Sequence, residues 1–273
     1  MRWLVALDVD GTLVDHDEVL SPVVRQAVRD VVAAGHHVVV STGRSLDSAY
    51  PVLSWLGLAP TDAPDEKPYV GPLVCSNGAV TAMVDPQLPD GREVTDVVTF
   101  DPAPVLRLLV EDLPTAAFAV EEVGVGFKVA GRFPEHELTG RITTVSFEEL
   151  LEAPACRVVV RSPEHTPEDF LAITERLGMK GVNYSVGWTA WLDLAPEGVS
   201  KASALEVVRH RLGVDPARTF AMGDGRNDLE MLRWAARGVA MGQAPAEVKD
   251  AADEVTGSVL EDGAAAALAT LPR

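Results

Sequence analysis

Residues 7–13 read Leu-Asp-Val-Asp-Gly-Thr-Leu, LDVDGTL, and close the apolar run WLVALDVDGTL that occupies residues 3–13. The run reads as a buried strand, yet it ends in two aspartates, Asp8 and Asp10, with Gly-Thr behind them. Ionised carboxylates at such a place are costly unless a cation or a hydrogen-bonding partner meets them. Residues two apart on a strand face the same way, so one strand end can present both carboxylates together. Taken alone, the stretch is as well explained by a strand running into a polar turn, because Asp and Gly are ordinary turn residues.

The pattern then repeats. Ser21-Pro22 supplies an N-cap and a favoured first helical residue for VVRQAVRDVVAAG, which closes on Gly35. HHVVVSTGRS follows, again an apolar strand ending in small polar residues, then a helix over about Leu46–Leu56, then PLVCSNGA. Alternating strand and helix predicts a parallel sheet covered by helices, with ligands bound beyond the carboxyl ends of its strands. After about Met83 the rhythm changes. Pro, Gly and Asp cluster in VDPQLPDGREV, and two helices, starting near Asp101 and Thr166, lie among the strand-like runs TAAFAVE, VGFKVAG, CRVVVRS, VNYSVG and TAWLDLA. From Ser200 the first rhythm returns. The expected organisation is therefore a core of residues 1–83 and 189–273 with an α+β insert, 84–188. TDAPDEKPY, 61–69, reads as a surface loop.

The totals narrow the function. The 273 residues are 47% hydrophobic and 23% charged, an ordinary globular composition. The formal net charge of −18 disfavours nucleic acid and anionic membranes as partners. No apolar stretch approaches the roughly 20 residues of a membrane span, and the early acidic motif leaves no room for a signal peptide. Cys75 and Cys156 lack metal-ligand spacing and sit in apolar runs, as buried structural cysteines do. A cytoplasmic protein is expected, as a monomer or homodimer. An anionic small molecule would have to be held by local cations, oriented N–H groups or a metal.

Three further stretches carry chemistry. In AMGDGRNDLEML, Asp224 ends a strand, and Asn227 and Asp228 follow at spacings that bring side chains together on one helical turn. Carboxylates with an amide suit a hard cation such as Mg2+ and do not follow the 12-residue calcium loop. A polar turn with a helix cap is the competing reading. GVSKASAL places Lys201 at a helix start, where the dipole disfavours a cation and argues for an anionic neighbour, although a solvated lysine would also be tolerated. STGRS places Thr42 and Gly43 at a strand end, where a hydroxyl and backbone N–H groups can bind phosphoryl oxygen, although a plain connection is also consistent. Arg44 follows directly, and Asn77 ends another core strand.

In this order, DVDGT, STGR, GVSK and GDGRND resemble the four motifs of the haloacid dehalogenase-like (HAD) phosphohydrolases. The insert's length and position resemble the C2-type cap of the Cof-like subfamily IIB, and SNGA and NDLEML add to the match. The resemblance implies a Rossmann-like parallel-sheet core with an inserted α+β cap domain. It implies Asp8 as nucleophile, forming an aspartyl-phosphate, and Asp10 as the acid and then base. It places Mg2+ on Asp8, the Asp10 carbonyl and Asp224, supported by Asp228 and Asn227. Thr42, Gly43 and Lys201 would bind the phosphoryl group, with Arg44 and Asn77 beside them. The substrate would be a small phosphorylated metabolite, with sugar phosphates leading. A phosphomutase of the same fold and a non-catalytic phosphometabolite-binding regulator are the alternatives; the regulator would not need the Asp8/Asp10 pair. His16 is expected in an exposed loop and Trp188 and Trp191 at the junction of insert and core, with stacking on a sugar as their alternative. Glu121, Glu122, Lys128 and Arg132 are read as a solvated face, or as the cap residues brought to the leaving group.

Overall fold

The computed structural model describes residues 2–58, 69–135, 137–177, 182–186 and 191–272. Its strands, in chain order, are β1 (Leu4–Leu7), β2 (His37–Ser41), β3 (Gly71–Cys75), β4 (Val80–Val84), β5 (Arg92–Val97), β6 (Ala117–Glu122) and β7 (Gly126–Ala130). They continue with β8 (Arg141–Thr144), β9 (Val158–Arg161), β10 (Val182–Val186), β11 (Trp191–Pro196), β12 (Thr219–Gly223), β13 (Arg237–Ala240) and β14 (Glu254–Val255). Two sheets form: an eight-stranded one ordered β14-β13-β12-β1-β2-β3-β4-β5, and a six-stranded one ordered β10-β11-β9-β6-β7-β8.

In the larger sheet β14 through β3 are parallel, and β4 and β5 extend the edge antiparallel. Leu4–Leu7 is fully buried, as a parallel strand covered on both faces must be. Val5 and Leu7 join one apolar cluster with Val24, Val28 and Leu53, while Leu4 and Ala6 join another with Leu205, Val208 and Met231. The strand therefore has helices on either face. The chain runs from β1 to β2 and β3 on one side, and β12 to β14 lie on the other. The order thus reverses between β1 and β12, the place where open α/β sheets bind ligands.

In the smaller sheet the period-2 alternation separates two faces. Phe118, Val158, Val160, Leu192 and Leu194 pack with Leu106, Leu109 and Phe170 of the helices Ala103–Asp112 and Pro167–Leu177. Ala119, Phe127, Val129 and Val159 form the opposite face, with Trp191 against it.

The sheets change over at different places from the expected 84 and 188. Arg92–Val97 pairs antiparallel with β4, and Val98 N–H donates to Ala79 O, so the hairpin after Val84 belongs to the core sheet. The Pro/Gly/Asp cluster marks a hairpin turn, not an exit. At the other end β11 pairs with β9 and β10, which carries the smaller sheet to Pro196. Trp188 and residues 61–68 lie outside the described residues. Tyr69, the last residue of the expected loop, is buried, its hydroxyl donating to Val38 O (2.6 Å) and Pro72 O (3.1 Å).

Candidate active site

Asp8, Thr42 and Asp224 each follow the last residue of a central strand, and the register Val40–Leu7–Met222 sets those ends side by side. Asp8 N–H donates to Met222 O, which continues the ladder one residue past β1. One carboxylate oxygen from each of Asp8, Asp224 and Asp228 lies within 4.8 Å of the others, and all three residues are buried. Lys201 is fully buried with them. Its Nζ donates to Asp8 Oδ1 at 2.5 Å and to Asp228 Oδ1 at 2.6 Å. The anionic neighbour implied by a lysine at a helix start is thus a pair of aspartates.

Gly-Thr of the opening stretch has its own explanation here. Gly11 has φ +78°, and a Cβ on it would lie 2.2 Å from Asp224 Oδ2. Only glycine permits the β1 loop to approach Asp224 so closely. Thr12 Oγ1 is 3.4 Å from Asp224 Oδ1, a long hydrogen bond from the same loop.

Asp228 does not sit on a regular helical turn with Asn227, as the spacing predicts, but at the end of a 3-10 turn, Arg226–Asp228. From there its Oδ2 accepts from the N–H groups of Asp224 (3.0 Å) and Gly225 (2.9 Å), while Oδ1 takes Lys201. Both oxygens are engaged, so this carboxylate fixes the loop and the lysine. Asp8 and Asp224 carry the more available oxygens.

The cluster sets three carboxylates against one ammonium. Burial, then the charge of Asp228, pushes the Asp8 carboxyl well above its usual range. The same two causes push Asp224 up to about 7, against hydrogen bonds from Gln243 and Thr12. Burial would lower the Lys201 ammonium, but Asp228 and Asp8 outweigh it and hold it above its ordinary value. A surplus of buried carboxylate oxygens beside a strand-end loop fits a hard divalent cation.

The other expected site residues have more particular places. Arg44 Nε reaches both oxygens of Asp10 (3.2 and 3.0 Å), and Nη2 reaches Asp10 Oδ1 at 2.5 Å and Glu18 Oε1 at 2.7 Å. Its guanidinium lies 5.6 Å from the Trp55 ring centroid. Arg44 is thus a clamp on Asp10, whose carboxylate stands apart from the three buried ones. Thr42 N–H donates to Val74 O, and its Oγ1 accepts from Arg44 N–H, which leaves the hydroxyl proton as the side chain's donor. Ser76, Asn77 and Gly78 run through three consecutive positive φ angles, 49°, 54° and 99°. Gly78 is needed there because a Cβ would lie 2.1 Å from Ser200 O, just before Lys201. The turn sets Asn77 Oδ1 to accept from Asn227 Nδ2 at 3.0 Å.

A cavity of about 480 Å3 opens onto this cluster, within the usual range for small-molecule sites. Its floor includes Asp8, Asp10, Gly43, Asp224 and Asn227; its roof includes Phe127, Arg157, Trp191 and Asp193 from the smaller sheet. Of these roof residues the sequence singled out Trp191 alone. Trp191, expected at a junction, lines the cavity with its Nε1 donating to Asp193 Oδ2 at 3.0 Å. Glu121 faces away from it and accepts from Ser76 Oγ (2.9 and 2.8 Å), while Lys128 pairs with Glu122 at 3.5 Å. His16 is exposed, and Cys75 and Cys156 are buried free thiols, as expected.

The sequence pattern of the haloacid dehalogenase-like hydrolases matches residues 5–268. The chain belongs to that family. Among its relatives, YkrA of Bacillus subtilis, which carries a phosphatase name, is 29% identical over 270 residues, covering 98% of this chain and 97% of the relative. The 5-amino-6-(5-phospho-D-ribitylamino)uracil phosphatase YitU of the same organism is 29% identical over 278 residues, covering 96% and 95%. A solved HAD subclass IIB sugar phosphatase superposes with a TM-score of 0.79 over 98% of both chains at 24% identity, a likeness of fold. The HAD enzyme is a phosphatase, with a mixed α/β fold around a parallel-rich sheet. No described helix is long and apolar enough to cross a membrane.

Proposed function

We propose that this HAD phosphatase is Mg2+-dependent and hydrolyses small phosphorylated metabolites, sugar phosphates foremost, through an aspartyl-phosphate on Asp8. The observation that carries the reading is Asp8: a buried carboxylate at a central strand end, touching Lys201, beside Asp224 and open to the cavity. In the first step an Asp8 oxygen attacks phosphorus, and the leaving oxygen takes a proton from Asp10. In the second, Asp10 accepts a proton from water as that water attacks the phosphorus, which frees phosphate and restores Asp8. Lys201, the Thr42 hydroxyl and Gly43 hold the phosphoryl oxygens. Arg44 fixes where Asp10 stands. Asp8, Asp224 and the Asp10 carbonyl would hold the cation, with Asp228 orienting the loop. Bound there, Mg2+ would screen the nucleophile from the phosphate's charge and polarise a phosphoryl oxygen.

The six-stranded sheet serves as the cap in this reading: it roofs the cavity and excludes water. Sugar phosphates agree with the roof's aromatic and hydrogen-bonding surface and with the sugar phosphatase of like fold. Phosphate release from a panel of esters, with chelator and then with Mg2+, tests the reading. Release should vanish with chelator and return with Mg2+, and Ca2+ should support it poorly. Full activity in rigorously metal-free enzyme would contradict it.

A further inference from the structure

The cavity's arginines raise a question that the phosphoryl chemistry leaves open. Guanidinium groups in a phosphatase pocket invite a second anion, such as a carboxylate or another phosphate on the leaving group. Here each of the three that line the cavity already meets a carboxylate. Arg44 holds Asp10 and Glu18, Arg226 Nε meets Glu247 at 2.5 Å, and Arg157 Nε meets Asp193 Oδ1 at 2.6 Å.

Arg157 matters most, because it lies in the roof opposite Asp8 with its side chain only 8% exposed. Two carboxylates flank it, Asp193 in contact and Glu121 at 3.9 Å. Burial pushes the Glu121 carboxyl up, but the cavity lining still sets more carboxyl groups than guanidiniums around the pair. Among the described residues the hydrogen bond to Asp193 is the one that the Arg157 guanidinium makes, so further N–H groups remain to donate. Asp193 keeps lone pairs to accept, although Arg157 and the Trp191 indole already donate to it. Glu137 adds another lining carboxylate, paired with Arg161. A donor beside an acceptor, in a surround with excess negative charge, suits neighbouring hydroxyls. It repels a second anion, which would have to compete with carboxylates at short range. The Trp191 ring, held by its own N–H and edge-on to Phe133 at 6.2 Å, adds a flat apolar wall.

We infer that the Asp193–Arg157 pair determines specificity: it admits uncharged, polyhydroxylated leaving groups and rejects those bearing a carboxylate or second phosphate. The inference rests on the phosphatase reading and deepens it. It selects among monoesters by charge, which the phosphoryl end alone would not do.

The test compares kcat/KM for hexose 6-phosphate, phosphoglycolate, a sugar bisphosphate and p-nitrophenyl phosphate, with Mg2+ present. The wild-type enzyme should favour the hexose ester over the two esters with an anionic far end by about tenfold or more. Asp193→Asn removes one negative charge while keeping the shape, and should shift the ratio towards phosphoglycolate by about fivefold or more. Asp193→Glu should keep the wild-type ranking, which a purely structural role for the side chain would not predict. A wild-type preference for the carboxylated or bisphosphate ester would overturn the inference, as would an unchanged ratio in a folded Asp193→Asn enzyme. Should that variant not fold, the wild-type ranking still decides. Absence of release from every ester, p-nitrophenyl phosphate included, would overturn the phosphatase reading and this inference with it.

Discussion

At the core end of the cavity, Asp8, Thr42 and Asp224 stand one residue beyond three adjacent parallel strands, and Lys201 begins the helix packed behind them. At the roof, Arg157, Trp191 and Asp193 come from strands joined antiparallel, the first just before β9 and the others within β11. The contrast concerns what fixes each side chain. A core residue is placed by the end of its own strand, so a short motif carries its position. A roof residue is placed by pairing between distant segments and by the face its strand turns inward, so no short motif carries it.

Several substitutions probe this contrast, the largest effect coming from the core. Asp8→Asn should reduce kcat by about 10^4-fold or more under the proposed mechanism, since a nucleophile has no substitute. It should not unfold the protein, because it also removes one of three crowded carboxylates. A loss of at most tenfold, measured as phosphate release, would place the nucleophile elsewhere.

Lys201→Met comes next. It strips the buried cluster of the cation that contacts it, and removing one partner of a buried pair costs about 3–5 kcal/mol. Denaturant unfolding in chelator should report a loss of that order, and added Mg2+ should restore part of it. Stability equal to wild type in chelator would mean that the lysine does not hold the cluster together.

The acidic end also has a pH signature. Burial and Asp228 raise the Asp224 carboxyl to about 7 in the folded protein, above its ordinary value of 3.8. Between those values the folded state binds more protons than the unfolded one, so stability in chelator should fall as pH rises from about 4 to 7. The contribution is on the order of a few kcal/mol at most. Asp224→Asn should flatten that part of the profile, and saturating Mg2+ should do so by favouring the carboxylate. A wild-type profile as flat as that of Asp224→Asn across this range would contradict the assignment.

The smallest effect is expected at a residue that the sequence offered for the roof. Lys128 pairs with Glu122 in a partly exposed ion pair, away from the cavity lining. Lys128→Ala should change stability by less than about 1 kcal/mol and leave kcat/KM within about twofold. A larger change in kcat/KM for one ester over another would return this face to the leaving-group site.

The order of the polar strand ends made the parallel sheet legible, and charge logic made a partner for Lys201 legible. Gly11 could be seen as unusual, but its reason, the closeness of Asp224, lies 213 residues away and is a matter of packing. The sheet changeover was misplaced at both ends for one reason: Pro and Gly mark turns without saying whether the next strand returns to the same sheet. β5 does return, and β11 does not leave. Arg157 and Asp193 looked like polar interruptions in the apolar runs CRVVVRS and TAWLDLA. Period 2 would have put them opposite Val158, Val160, Leu192 and Leu194, on the face away from the helices. Which face the cavity occupies, however, depends on how the two sheets meet.

The most direct test of the central claim, that phosphoryl transfer belongs to Asp8, is rapid acid quench of the wild-type enzyme during turnover with Mg2+ and a phosphate ester, followed by peptide mapping. The account predicts an acyl-phosphate on the peptide containing residues 7–13, at Asp8 and not at Asp10, and none in Asp8→Asn. Phosphate on another residue, or an undiminished phosphoenzyme in Asp8→Asn, would contradict it.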